Sequence, residues 1–426
     1  MHILIPLVGS RGDVQPGIAL GLELQRRGHT VVVGAPPNFV DFVGKTGLTA
    51  RPFGPDVHAL YSSPEGQRAL AAGNSFKLMK MVSGQMADYA DRMDDELIDI
   101  SRDAEMIVCT TFSEDRSVIL AQARDIPVVT LHTYPSRKNS TYAPPGALPH
   151  QWPIPGVVNR GAWSAVERLR TVVFGKYLDN LRRKLDLPPS RASTESLLAA
   201  RQVPELQMYD SALVPGLAEE WGDTKPFVGF LWLPRSAREA IGELAEQHTE
   251  VVDWADAGTP PIFFGFGSLP IQDFTSVIGL IQQICDRTGQ RALISVGGAD
   301  LSGAVSTGAN VKIVDALAHD LIFPHCAAAV HHGGIGTLFE SLRAGLPTLV
   351  CSVSFDQPLW GSQVHRLGVG AHVPFTKLGA DTLSRAIGTL MDDGTRSRAA
   401  ALGSRLRDTG DGVPRVCDIA EKVAAG

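Results

Sequence analysis

Residues 2–35 read HILIPLVGSRGDVQPGIALGLELQRRGHTVVVGA, and their reading decides the fold. Ile3 to Val8 is a continuous apolar run, the mark of a strand covered on both faces. Gly9-Ser10-Arg11-Gly12 breaks that run, Ile18, Leu20, Leu22 and Leu24 follow in a helical segment, and Gly28 leads into Val31-Val32-Val33. Strand, helix, strand over this length is the repeating unit of a parallel sheet.

Near residue 260 the theme starts again, with an apolar run at 262–266, Gly267-Ser268, a helical stretch around 277–285 and a second run at 292–296. Further strands are predicted at 106–109 and 128–132 in the first half, and at 311–314, 328–331, 348–351 and 370–373 in the second. The fold class is therefore α/β: two Rossmann-like, doubly wound parallel-sheet domains in tandem. Gly222-Asp223-Thr224-Lys225-Pro226 supplies turn and breaker residues. It divides an N-terminal domain, 1–220, from a C-terminal one, 226–392, and leaves 393–426 as C-terminal helices. Ligands of such sheets bind beyond the carboxyl ends of the strands, so two of them predict a site in a cleft. The Pro- and Gly-rich segment 134–158 is expected to wall it.

Composition narrows the function. The chain has 426 residues, 44% of them hydrophobic, and 39 Lys and Arg against 45 Asp and Glu give a net charge of −6. Such a chain can bury two cores, and it lacks the clustered cations that a nucleic acid partner needs. No run approaches the roughly 18–20 apolar residues of a membrane span, and 2–8 is too short for a secretory signal. Cys109, Cys285, Cys326, Cys351 and Cys417 are odd in number, scattered and set in apolar surroundings. Buried free thiols in a reducing, cytoplasmic compartment are expected.

Residues 159–187 combine Arg160, Arg168, Arg170, Lys176, Arg182, Arg183 and Lys184 with Trp163, Val166, Val173, Tyr177 and Leu181 near helical spacing. Two readings stay open: a surface helix with a core-facing stripe, and a basic amphipathic element making peripheral contact with the inner face of an anionic membrane.

Several motifs fail. Gly44-Lys45-Thr46 resembles the end of a phosphate-binding P-loop, but the glycine required five positions earlier is Phe39. The loop after the first strand lacks Gly-x-Gly-x-x-Gly spacing, and Gly34-Ala35-Pro36 offers no acid for a ribose, which disfavours a nicotinamide enzyme. Arg11-Gly12-Asp13 is a chance adhesion tripeptide.

What remains carries chemistry. Asp13 opens at the carboxyl edge of the first sheet, where a carboxylate can serve as general base or simply complement the helix dipole. His331-His332-Gly333-Gly334-Ile335-Gly336-Thr337 joins a strand to a helix, and small residues at a helix N-terminus suit a diphosphate. The two histidines lack the further partners that zinc needs, so no metal is expected. Asp356-Gln357 can hold sugar hydroxyls, with helix capping as the structural alternative. Gly267-Ser268 is a second candidate phosphate contact.

These blocks resemble the inverting family 1 glycosyltransferases of the GT-B fold, especially the branch of sterol, lipid and antibiotic glycosyltransferases. The resemblance rests on Gly9-Ser10-Arg11-Gly12-Asp13-Val14-Gln15-Pro16 and Gly28-His29-Thr30-Val31, on His331 to Thr337, on Ala344-Gly345-x-Pro347, on Asp356-Gln357-Pro358 and on Gly368-Val369-Gly370, in matching order and spacing. Residues from about 50 to 225 carry no such match. The resemblance implies that Asp13 deprotonates an acceptor hydroxyl. It also implies that Ser10, Arg11, Gly12, Gly267 and Ser268 lie near the donor phosphates, and that His331, Gly333, Gly334, Gly336 and Thr337 cradle them. Asp356 and Gln357 would hold the sugar, and the loop with Asp315, Ala316 and Leu317 would meet the base.

A nucleotide-sugar donor, of the UDP-glucose or dTDP-deoxysugar type, and a hydrophobic small-molecule or lipid acceptor follow as partners. No cofactor and no divalent metal is implied, and no Asp-x-Asp motif is present. The last helix is expected to cross back to the first domain. The plant-type Cys-Gly-Trp-Asn run is absent, since His332-Gly333-Gly334-Ile335 stands there, so plant donor rules do not transfer. A nucleotide-sugar epimerase of the same fold and a non-catalytic lipid- or nucleotide-binding protein are the rival functions.

Overall fold

The computed structural model describes residues 1–71, 75–147, 154–243, 247–267, 274–297, 308–315 and 317–426. Two compact units emerge. One comprises Met1–Val57, Lys80–Ile241 and Gly410–Gly426, the other His58–Met79 and Gly242–Thr409.

The first unit contains strands β1 (His2–Pro6), β2 (Thr30–Ala35), β3 (Thr49–Pro52), β4 (Met106–Thr110), β5 (Val128–His132) and β6 (Glu205–Gln207). They form a parallel sheet in the order β3-β2-β1-β4-β5-β6. The second unit has β7 (Ile262–Gly265), β8 (Ala292–Ser295), β9 (Val311–Val314), β10 (Ala328–His331), β11 (Thr348–Val350) and β12 (Gly370–His372), also parallel, ordered β12-β11-β10-β7-β8-β9. Read from the other edge, this is the same wiring. In each sheet the first strand lies beside the fourth, and the order reverses there, which opens a crevice at the carboxyl ends of β1 and β4, and of β7 and β10.

The central strands are fully buried, β1 through Ile3, Leu4 and Ile5 and β10 through Ala328, Ala329 and Val330. Helix α1 (Arg11–Arg26) covers one face of the first sheet with Val14, Ile18, Leu20 and Leu24. All five cysteines are buried free thiols. Gly222-Asp223-Thr224-Lys225-Pro226 is a turn inside the first unit: Phe227 bridges to Gln207, Trp221 stacks on Phe227, and Leu231, Leu233 and Ala237 enter the first core. The chain passes to the second unit only after Ile241.

Residues 393–409 stay with the second unit, whereas the helix Val413–Ala424 belongs to the first. Val413, Val416, Cys417 and Ala420 are buried in the same core as Ile18 and Leu24. Arg27 pairs with Asp418 at 2.6 Å and Glu421 at 2.8 Å, and His29 meets Glu421 at 2.9 Å.

Candidate functional site

In the first unit the switch point is built by the loop after β1. Gly9 has φ +129°, and a Cβ there would stand 2.3 Å from Asp13 Oδ2, so only glycine lets the carboxylate fold back over the loop. The Ser10 backbone N–H donates to Oδ2 at 2.8 Å and the Ser10 hydroxyl at 2.9 Å. Asp13 is the third residue of α1, and its bond to the Ser10 N–H is the reach-back half of a capping box. The carboxylate is thus aimed before any substrate arrives. Burial raises its pKa, opposed by the two bonds from Ser10, which makes it a stronger base than a solvated aspartate.

Arg11 is engaged within its own unit, with Nε donating to Gln15 at 3.3 Å and the guanidinium 5.2 Å from the Phe42 ring centroid. A Cβ on Gly12 would meet Ser10 Oγ at 3.8 Å, an ordinary contact. Across the switch point, Ser113 Oγ donates to the Pro6 carbonyl at 2.6 Å and ties the loop after β4 to the end of β1.

A buried ionic cluster, not singled out from the sequence, lies at the ends of β4 to β6. Arg137 bonds Glu114 at 2.6 Å and also Glu205, His132 Nε2 lies 2.8 Å from Glu114, and Lys225 pairs with Glu205 at 2.9 Å. Gln207 donates to His132 Nδ1, which leaves Nε2–H to donate to Glu114. Burial lowers the His132 pKa, aided by Arg137, and keeps the ring neutral. Burial works to raise Glu114, but Arg137 and His132 win and hold it below the usual carboxylate range.

Ligand atoms of Glu114, His132 and Glu205 lie within 4.8 Å of one another, a spacing that suits a cation, and the Arg137 guanidinium is already that cation. The cluster pins the start of the 134–158 segment. There Asn139 accepts from the Thr141 and Tyr142 N–H groups, and the Tyr142 hydroxyl bonds Pro215. Residues 148–153 of that segment lie outside the described residues.

In the second unit, β10 ends at His331 and the helix Ile335–Arg343 begins after Gly334. The two histidines have different fates. His331 is fully buried, its Nδ1 accepting from Gly333 N–H at 3.0 Å and its Nε2 lying 3.3 Å from Ser341 Oγ. Both ring nitrogens are thereby used beneath the loop. His332 lies on the loop, where a Cβ on Gly334 would come 2.4 Å from its Nε2 and one on Gly267 2.9 Å from its Cε1. Its Nδ1 is buried with no hydrogen-bond partner. Burial lowers the His332 pKa to about 4, against a raising contribution from the Gly265 backbone.

The helix Ile335–Arg343 has no side-chain cap and no acid in its first turn. The N–H groups at Ile335, Gly336 and Thr337 therefore precede the first intrahelical bond, and they carry the positive end of the dipole. A Cβ on Gly336 would find open space. Gly333 has φ +90°, and a Cβ there would stand 2.6 Å from Val350 Cγ1 and 3.4 Å from Gln357 Cβ, which places Gln357 beside this loop.

The Gln357 carbonyl accepts from Val353 N–H at 2.8 Å and Ser354 N–H at 3.2 Å, and Asp356 Oδ2 accepts from the Trp360 indole at 3.0 Å. Asp356 precedes its helix but makes no side-chain cap. The Asp315 carbonyl accepts from Gly297 N–H and Ser295 Oγ, both at 2.9 Å. Ser268 and Ala316 lie outside the described residues.

Two wound sheets of identical wiring, one with an aimed carboxylate and one with an uncapped, glycine-lined helix start, define a GT-B enzyme. Comparison with known proteins narrows the class. Residues 3–99 match the glycosyltransferase family 28 N-terminal domain, and residues 290–425 match the erythromycin biosynthesis protein CIII-like C-terminal domain. An uncharacterized glycosyltransferase of Mycobacterium leprae is 35% identical, covering 100% of this chain and 97% of its own. A sterol 3-beta-glucosyltransferase of Arabidopsis thaliana is 31% identical over 97% of this chain and 64% of its own longer one. Among solved structures, the glycotransferase of kitacinnamycin superposes with a TM-score of 0.70 at 18% identity, covering 99% of this chain and 98% of its own. The glycosyltransferase VinC, solved in complex with DTDP, gives 0.68 at 16% identity, covering 100% of each. The chain belongs to the family 1 glycosyltransferases of the GT-B fold. It is a transferase that draws its sugar from a nucleotide-sugar donor.

Proposed function

We propose that the protein transfers a hexosyl group, with inversion at the anomeric carbon, from a UDP-glucose or dTDP-deoxysugar type donor to a hydroxyl of a hydrophobic acceptor. The observation that carries this reading is the Asp13 carboxylate, pre-aimed by Ser10 and made more basic by burial. Asp13 takes the hydroxyl proton as the acceptor oxygen bonds to the anomeric carbon, and the bonding pair to the donor oxygen leaves with the nucleoside diphosphate.

Negative charge grows on that leaving group. His332 and the first-turn N–H groups of Ile335–Arg343 meet it, so they stabilise the transition state more than the ground state. In this reading the fixed dipole and imidazole replace a divalent ion. Gln357, beside Gly333, orients the sugar together with Asp356. The sterol 3-beta-glucosyltransferase relative supports a lipid-like alcohol as acceptor.

The test is nucleotide release from UDP-glucose and from dTDP-sugars, with sterol, glycolipid and polyketide alcohols, in EDTA, for wild type and Asp13→Asn. Acceptor-dependent release that survives EDTA and is lost in the variant supports the mechanism. Release unchanged in the variant removes Asp13 as base, and release abolished by EDTA removes the metal-free mechanism.

A further inference from the structure

The helix Gly156–Lys184 is turned inside out. Its buried residues are Asn159, Trp163, Leu181 and Arg182, and most of its inward contacts are polar. Asn159 Nδ2 bonds the Ser140 carbonyl at 2.9 Å, Trp163 Nε1 the Tyr142 carbonyl at 2.7 Å, and Arg182 Nε the Pro188 carbonyl at 2.6 Å. Arg170 reaches inward to Asp115.

The opposite face carries Val157, Val158, Leu169, Val172 and Val173, exposed by 75%, 47%, 62%, 73% and 44%. These five account for most of the exposed large hydrophobic side chains among the described residues, where only Met1 and Phe112 join them. Leu169, Val172, Val173 and Lys176 fall at intervals of three and four, one stripe of a helix. The sequence pattern pointed Val173 at the core, but it faces out, because Arg170 and Trp163 have partners waiting inside and valine has none.

Charge selects the occupant. Every exposed charged residue of this helix is a cation, while Glu167 and Asp179 are partly covered. Arg160 pairs with Glu220 and Lys184 with Asp91 and Asp95, which leaves Arg168, Lys176 and Arg183 beside the apolar stripe. This face is therefore basic on a chain of net charge −6. A second copy would set Arg168 and Lys176 against their own images. An anionic lipid surface instead accepts the apolar stripe below its headgroups and pairs the flanking cations with phosphates. From Val157 to Val173 the stripe runs about 24 Å at the rise of a helix, enough to lie in the plane of a membrane without crossing it, and no described helix is long and apolar enough to cross.

We infer that the exposed face of Gly156–Lys184 is a docking surface for an anionic lipid bilayer. It goes beyond the proposed reaction and stands without it, since binding is read with no donor or acceptor present.

The test is co-sedimentation of the full chain with vesicles of phosphatidylcholine alone and of phosphatidylcholine mixed equally with phosphatidylglycerol, at low and high salt. The chain is expected to pellet with the mixed vesicles, to be released by salt and to ignore the neutral ones. Leu169→Glu with Val172→Glu is expected to abolish pelleting with the thermal midpoint unchanged, since both side chains are exposed. Arg168→Ala and Lys176→Ala are each expected to weaken it about fivefold. Failure of the wild type to pellet, equal pelleting with neutral vesicles, or pelleting untouched by the double variant would overturn the inference. So would sedimentation velocity that shows a dimer dissociated by the double variant, which would assign the face to a second copy.

Discussion

The loops after β1 and β10 are the same device built twice and finished differently. Each joins a central strand to a helix through glycines at a switch point. At the third helical position the first loop has Asp13, and the second has Thr337. In the first, the carboxylate folds back on Ser10 and occupies the helix start, so the loop offers a base. In the second, no acid occupies the first turn and no side chain caps it, and the start is open to the leaving diphosphate of the proposed reaction. One side chain at one helical position decides whether this strand-to-helix turn carries an anion of its own or leaves its N–H groups open to one.

Breaking the first loop has the largest expected effect. Asp13→Asn keeps a polar group at the helix start and removes the base, so turnover should fall about 10²–10⁴-fold while the affinity for UDP or dTDP stays unchanged. Steady-state rates beside calorimetric titration of the nucleotide check this.

Making the second loop resemble the first comes next. Thr337→Asp should weaken nucleotide diphosphate binding by roughly thirtyfold, from the dipole and like-charge terms, while the thermal midpoint holds or rises because an acid suits a helix start. Loss of both affinity and stability would mean the loop had been disrupted rather than filled.

The histidine pair separates support from contact. His332→Ala should cost about tenfold in nucleotide affinity with little change in stability. His331→Ala, which orphans Gly333 N–H and Ser341, should lower stability by about 1–3 kcal/mol in denaturant unfolding. Equal effects of the two would erase the distinction.

Ser10→Ala is the subtlest. The Ser10 hydroxyl stabilises the ionised carboxylate, so its removal lets burial push the Asp13 pKa higher still. The acid limb of kcat/KM, which in wild type should lie above the ordinary aspartate range, is expected to move to higher pH. Movement to lower pH would contradict the bonding.

Ten of the twelve strands were legible because apolar runs mark strands buried on both faces. The two others, Thr49–Pro52 and Glu205–Gln207, are short edge strands whose composition, TARP and ELQ, carries no such run. Asp13 was legible as a candidate base from its place after a strand. Which of two adjacent histidines is buried beneath the loop was not, because it depends on where β10 ends: His331 still points into the sheet's packing, and His332 is the first residue past it. The Glu114–Arg137–Glu205 cluster was invisible because its members lie far apart in sequence and meet only when β4, β5 and β6 are side by side. In Gly156–Lys184 the apolar spacing was visible but its direction was not, since buried polar partners rather than hydrophobicity orient the helix.

The placement of Val413–Ala424 bears on how the molecule is made. Val416, Cys417 and Ala420 show no exposed surface in the core that β1 and α1 begin. The strand and helix that open this core are therefore synthesised nearly 400 residues before the helix that completes it. During synthesis Ile18 and Leu24 face an unfilled gap while the second sheet can already assemble, since β7 to β12 are complete in the chain before residue 413 emerges. A nascent chain stalled short of residue 413 should expose its first unit to protease and to chaperones, and emergence of Val413–Ala424 should end that exposure in one step.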